Sequence, residues 1–138
     1  MSYAGDKTPE EAWVLLEENP SSVLIDVRTL AEWAYVGAPD LSRVGKQTQF
    51  VEWVVFPDMS RNEDFIDQVR ECAPDPETPL LFLCRSGVRS VAASKTMTAT
   101  GYSACYNVLQ GFEGDMNDAH HRGNIGGWKV AGLPWVQS

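Results

Sequence analysis

Leu80-Leu81-Phe82-Leu83 is apolar at every position, with no polar alternation, and it runs straight into Cys84-Arg85-Ser86-Gly87-Val88-Arg89-Ser90. A short unbroken apolar run of this kind reads as a strand buried on both faces, as in a parallel sheet. A parallel strand needs a crossover before its neighbour, and the crossover is usually a helix. The residues after Ser90 supply one: a helical stretch reaches about Thr100 and stops at Gly101, a C-terminal capping glycine. Small residues there (Ala92, Ala93, Ala99) would let that helix lie close on a sheet.

The rest of the chain repeats the alternation. Thr8-Pro9-Glu10-Glu11 is a capping box with Pro at the first helical position, opening a helix to about Asn19. Its expected buried stripe is Ala12, Trp13 and Leu16. Ser22-Val23-Leu24-Ile25-Asp26 is a second buried strand, followed by a short helix over Leu30–Tyr35 and an irregular stretch from Gly37 to Gln49. Val51–Val55 reads as a strand. Ser60-Arg61-Asn62-Glu63 is a second capping box, predicting a helix to about Cys72 with Phe65, Ile66 and Val69 inward. Ser103–Val108 is the last strand, before a loop-rich tail ending Gly132-Leu133-Pro134-Trp135. Strands alternating with helices predict an α/β domain with a largely parallel sheet. A chain of 138 residues supports one such domain, spanning 1–138 with its core from about 8 to 135. Roughly 68% of the unfolded surface is buried at this size, so folding needs neither disulfide nor metal.

Charge is distributed unevenly. The net charge is −8, with 19 acidic and 11 basic residues, which argues against duplex nucleic acid or an anionic membrane as partner. Residues 1–69 carry 13 acids and 5 bases, whereas residues 70–138 carry 6 of each. From Thr78 to Phe112 there are three bases, Arg85, Arg89 and Lys95, and no acid. No apolar run is long enough to span a bilayer. The N-terminus lacks the basic and apolar regions of a signal peptide. The three cysteines, Cys72, Cys84 and Cys105, have no CxxC spacing, and the only histidines are the adjacent His120 and His121. These features predict a cytoplasmic protein with reduced thiols, no metal site and no cofactor.

Within the acid-free stretch, Cys84 falls where a parallel α/β sheet presents its ligands, beyond the carboxyl end of a strand. The loop and helix N-terminus that follow offer converging backbone N–H groups. Arg85 and Arg89 add positive charge, and Gly87 gives the loop backbone freedom. Together they favour a thiolate, so Cys84 is the candidate nucleophile. Cys72, at a helix end, and Cys105, in an apolar strand, read as structural.

The chain resembles the rhodanese-like family in its single-domain bacterial form. The resemblance is carried by Leu24-Ile25-Asp26-Val27-Arg28 with Glu32, by Cys84 through Ser90, by Asn107-Val108-Leu109-Gln110-Gly111-Phe112, and by Gly127-Trp128 with the Gly132–Trp135 tail. It implies a single domain with a central five-stranded parallel sheet and helices on both faces. It implies sulfur transfer: a thiolate takes the sulfane sulfur of a small anionic donor such as thiosulfate, and a thiol or protein acceptor removes it. Carried over by motif, Cys84 is the persulfide carrier. Arg85, Ser86, Gly87, Val88, Arg89 and Ser90 cradle the donor, and Asp26 and Arg28 support the loop. Two departures stand out. Val36-Gly37-Ala38-Pro39-Asp40-Leu41 replaces the family's Gly-His-Ile-Pro-Gly-Ala segment, and Met116 stands where a Trp is usual. Trp33, Tyr35 and Trp53 flank the first of these and read as core.

Two other readings use the same residues. A Cys-dependent phosphatase or arsenate reductase would place five residues between Cys and Arg; here there are four, a tighter cradle. A binding or carrier module would hold or deliver persulfide sulfur to a partner without turnover of its own.

Overall fold

A computed structural model of the chain describes residues 3–55, 60–85, 87–114 and 126–136, the Tyr35 side chain excepted. Its elements are β1 (Gly5–Lys7), α1 (Pro9–Glu18), β2 (Val23–Asp26), α2 (Leu30–Tyr35), β3 (Ala38–Pro39), β4 (Gln49–Phe50) and β5 (Val54–Val55). They continue with β6 (Ser60–Arg61), α3 (Phe65–Cys72), β7 (Leu80–Leu83), α4 (Val88–Thr100), β8 (Cys105–Val108) and β9 (Trp135–Val136). Five strands form one sheet in the order β1-β8-β7-β2-β4, every neighbour parallel. The expected α/β fold, a five-stranded parallel sheet between helices, is the fold observed.

The apolar run Leu80–Leu83 is the central strand and is buried throughout. Its alternation is between two cores instead of between core and water. Leu80, Phe82 and Cys84 join Ile25, Val27, Phe65 and Val69 of α3, and Ala93 and Met97 of α4. Leu81 and Leu83 join Leu24, Val108, Ala12 and Leu16 of α1, and Phe112 and Trp128. Cys84 therefore emerges at the carboxyl end of β7 on the α3/α4 side.

Local signals placed most elements. Thr8 caps α1 through a complete capping box with Glu11, and Gly101 ends α4 in the left-handed conformation. Several expectations need correction. The strand predicted at Val51–Val55 is displaced: the sheet pairs Gln49–Phe50 with β2, while Val54–Val55 forms a separate hairpin with Ser60–Arg61. Val51 and Trp53 are buried by packing, which is what made the segment look strand-like. Ser60 consequently is not a helix cap; α3 starts at Phe65 after Asp64. The fifth sheet strand, Gly5–Lys7, carries no apolar signal and is fixed by its parallel pairing with β8. On α4, Ala93 is buried but Ala92 is half-buried and Ala99 exposed; Ser90, Ser94 and Met97 complete the inward face. In α1, Trp13 is half-buried and meets Trp128 edge-on.

The tail returns to the site. β9 pairs antiparallel with β3. Trp128 and Lys129 donate backbone N–H groups to the carbonyls of Gly111 and Phe112. Trp135 stacks edge-on against Phe112, and the Lys129 ammonium lies 4.1 Å from the Trp135 ring. The turn beside Cys84 is thus held from outside by residues 126–136.

Candidate active site

Cys84 is only 1% exposed. The Gly87 N–H donates to its sulfur at 3.1 Å, and the Ser90 hydroxyl oxygen lies 3.2 Å from the same sulfur. Gly87 reaches this position at φ +114°, immediately before the first residue of α4. A side chain there would be strained, so the turn that aims the N–H at the sulfur requires glycine. Ser86 lies outside the described residues. Val88 is on the rim and largely exposed, and Ser90 is fully buried.

A second turn braces the loop. Phe112 N–H donates to the Cys84 carbonyl at 2.8 Å, and the N–H groups of Glu113 and Gly114 both donate to the Arg85 carbonyl. Gly111 makes this approach possible. Its φ is +58°, and a β-carbon on it would sit 2.2 Å from the Cys84 carbonyl oxygen. Met116, His120 and His121 lie outside the described residues. Among those described, no three His, Cys, Asp or Glu side chains come together as a metal would need.

The two arginines of the loop differ. Arg85 is exposed and forms no salt bridge among the described residues. Arg89 points to Glu32 on α2, with Nη1 to Oε1 at 2.7 Å and Nη2 to Oε2 at 3.0 Å. Glu32 is itself anchored, accepting from the backbone N–H and hydroxyl of Thr29. Partial burial works against the Glu32 charge, but the Arg89 hydrogen bonds and charge outweigh it and hold the carboxyl below its ordinary range. Arg89 is the mirror case: burial opposes its charge, and the bond and charge of Glu32 raise it further. Glu32 thus holds the guanidinium in place, within electrostatic reach of Cys84.

Asp26 and Arg28 are both fully buried and pair with each other, Nη2 to Oδ2 at 2.7 Å. Arg28 also donates to the Gly37 carbonyl at 2.7 Å and stacks 4.3 Å from the Phe112 ring. Their hydrogen bonds among the described residues reach Gly37 and each other, and the loop feels them through Phe112. Cys105 is buried and Cys72 half-buried; burial raises the thiol pKa of both. Trp53 is buried as expected and Trp33 half-buried against Phe50. Reading the loop alone misses Asp6 and Asn107. Beyond the resemblance that includes Asn107, their one local signal is that polar residue inside the strand Cys105-Tyr106-Asn107-Val108.

Fold and site together define an α/β protein with a cysteine cradle at the carboxyl end of a central parallel strand, the rhodanese-like arrangement. The chain belongs to the STR4 middle domain family, whose model matches residues 4–138. The crystal structure of Rv0390 from M. tuberculosis is 46% identical and covers 99% of both chains, with a TM-score of 0.90. An uncharacterised protein of Rickettsia conorii, RC0915, is 38% identical over 126 residues, 91% of each chain. The thiosulfate sulfurtransferase GlpE of Actinobacillus pleuropneumoniae is 25% identical over 127 residues, 92% of this chain and 88% of its own. No helix among the described residues is long and apolar enough to cross a membrane.

Proposed function

We propose that this chain is a sulfurtransferase that carries a sulfane sulfur as a persulfide on Cys84. The donor is a small anion of the thiosulfate class, and the acceptor is a thiol, free or on a protein. The observation that carries the reading is the placement of one sulfur atom. The Cys84 Sγ sits at the end of the central strand with the Gly87 N–H 3.1 Å away, and Arg89 stands on the first turn of the helix that follows. The similarity to a thiosulfate sulfurtransferase over most of both chains supports the same reading.

In the first half-reaction the Cys84 thiolate attacks the outer sulfur of thiosulfate. The Sγ–S bond forms as the S–S bond of the donor breaks, and the electron pair leaves with sulfite. Arg85 and Arg89 offset the negative charge that gathers in the cradle, and the backbone donor holds the sulfur in line. In the second half-reaction an acceptor thiolate attacks the outer persulfide sulfur and Cys84 leaves as thiolate. The near-complete burial of Cys84 suits a transfer in which single sulfur atoms enter and leave.

Intact-mass spectrometry tests this. Incubation with thiosulfate adds one sulfur atom, cyanide removes it as thiocyanate, and Cys84→Ser takes up none. Equal uptake by Cys84→Ser refutes the assignment. Hydrolysis of an aryl phosphate without sulfur uptake would move the chain to the phosphatase class.

A further inference from the structure

A buried hydrogen-bond chain leads away from the nucleophile. Cys84 Sγ lies 3.2 Å from Ser90 Oγ, Ser90 Oγ lies 2.5 Å from Asn107 Oδ1, and Asn107 Nδ2 donates to Asp6 Oδ1 at 3.1 Å. Ser90 is fully buried, Asn107 is nearly so, and Asp6 is exposed on edge strand β1. The chain runs from the reactive sulfur across α4 and β8 to the surface.

Donor and acceptor counting fixes the protons. The Asp6 carboxylate only accepts, so it must face the Asn107 NH2 group. That turns Oδ1, which also only accepts, toward Ser90. The single Ser90 hydroxyl proton therefore goes to Asn107. At the sulfur contact nothing remains for Ser90 to donate, so the bond there is Cys84 S–H to Ser90 Oγ. This arrangement suits the thiol. When the sulfur loses its proton to water, two lone pairs face each other at 3.2 Å, unless the Ser90 hydroxyl turns about its Cβ–Oγ bond and donates to the thiolate. Asn107 then loses its donor.

We infer that Asn107, locked by Asp6, is a positioning residue that competes with the Cys84 sulfur for the Ser90 proton, and so opposes the thiolate that the loop's donors and arginines favour. The hydroxyl turns toward Cys84 in the thiolate and back to Asn107 when the sulfur is capped as a persulfide. The inference rests on Cys84 being the reactive thiol and is independent of which donor it uses.

The test is the rate of Cys84 alkylation by iodoacetamide across pH, read by peptide mass. Asn107→Leu removes the competing acceptor at similar volume. Asp6→Ala, at an exposed position that does not threaten folding, lets the Asn107 amide turn and offer NH2 to Ser90. Each variant alkylates at least threefold faster near pH 7, and the gain vanishes at alkaline pH where every variant is thiolate. Ser90→Ala alkylates at least threefold more slowly at the same pH. In a Ser90→Ala background, Asp6→Ala has no further effect. The charged groups on the elements around the sulfur are Arg85, Arg89 with Glu32, Lys95 on α4, Asp26 with Arg28, and Glu113 on the turn bonded to Arg85; all variants keep them. A simple charge effect of Asp6, or wider access to the sulfur, would persist without Ser90, and that persistence overturns the inference. An unchanged or slower Asp6→Ala does the same. Failure of the wild type to take sulfur from thiosulfate bears on the proposed function alone, because alkylation needs no sulfur donor.

Discussion

Arg89 and Glu32, 57 residues apart in sequence, meet through two parallel N–H···O bonds of 2.7 and 3.0 Å, which tie the first turn of α4 to α2. Paired forks of this kind fix a guanidinium in plane as well as in place. The pair therefore joins the loop that carries Cys84 to the segment that follows β2.

Glu32→Gln leaves that guanidinium without its carboxylate and weakens the tie. The two side chains are 21% and 19% exposed, so solvent screens the interaction and the expected loss is about 1 kcal/mol, read from urea unfolding at pH 7. The pH dependence has a definite sign. The folded carboxyl is held below its ordinary value near 4.5, so its stabilisation is full above that pH and fades as pH falls through the lowered folded value. The gap between wild type and Glu32→Gln should close in acid. A gap that widens below pH 4.5 contradicts the pairing.

Arg89→Ala lowers kcat/KM for thiosulfate by tens-fold, on the order of 2 kcal/mol of charge-assisted contact. Arg89→Lys recovers little, because an ammonium cannot reproduce the two-pronged bond to Glu32 that fixes the side chain. Steady-state assays of the three proteins decide it. If Arg89→Ala matches the wild type, the side chain serves only the ion pair.

The parts of the fold written in short stretches of sequence were legible. The apolar run 80–83, the Thr8 capping box and the Gly101 stop each depend on neighbours within a turn or two, and each stands where expected. Elements defined by distant partners were not. Gly5–Lys7 is polar and becomes a strand because β8 offers an edge. Val51 and Trp53 imitate a strand because α3 and the sheet bury them. The same division holds at the site. Cys84, Gly87 and Ser90 were readable from one loop, while the Glu32 partner of Arg89 and the Asn107–Asp6 lock come from other elements. Glu32 and Asn107 belonged to the quoted resemblance, but nothing local said what either would touch.

Asp26→Ala should destabilise the protein by about 3–5 kcal/mol, because it leaves the fully buried Arg28 guanidinium uncompensated. One Arg28 nitrogen, Nη1, already has no partner among the described residues, so little local rescue is available. Replacing both residues together by apolar side chains of similar volume should recover much of the loss. Denaturant midpoints of the single and double variants measure it. A single variant within 1 kcal/mol of wild type, roughly the scale of an exposed pair, would mean the pair does not hold the core.

Gly111→Ala tests whether the second turn shapes the cradle or merely adjoins it. An alanine β-carbon would lie 2.2 Å from the Cys84 carbonyl oxygen and 2.6 Å from the Arg85 carbonyl carbon, both backbone atoms that no rotamer change can move aside. The backbone at φ +58° adds strain for any non-glycine residue. Relief requires the 109–114 turn to lift from residues 84–85, which breaks the Phe112 and Glu113 bonds to their carbonyls. The loop then loses its outer brace while β7 and α4 stay paired. The expected result is at least about 2 kcal/mol of lost stability, together with slower sulfur uptake at Cys84 in protein that remains folded. Circular dichroism establishes the fold, and the rate of mass gain with thiosulfate reads the site. Wild-type uptake at reduced stability would show that the turn supports the fold without shaping the cradle.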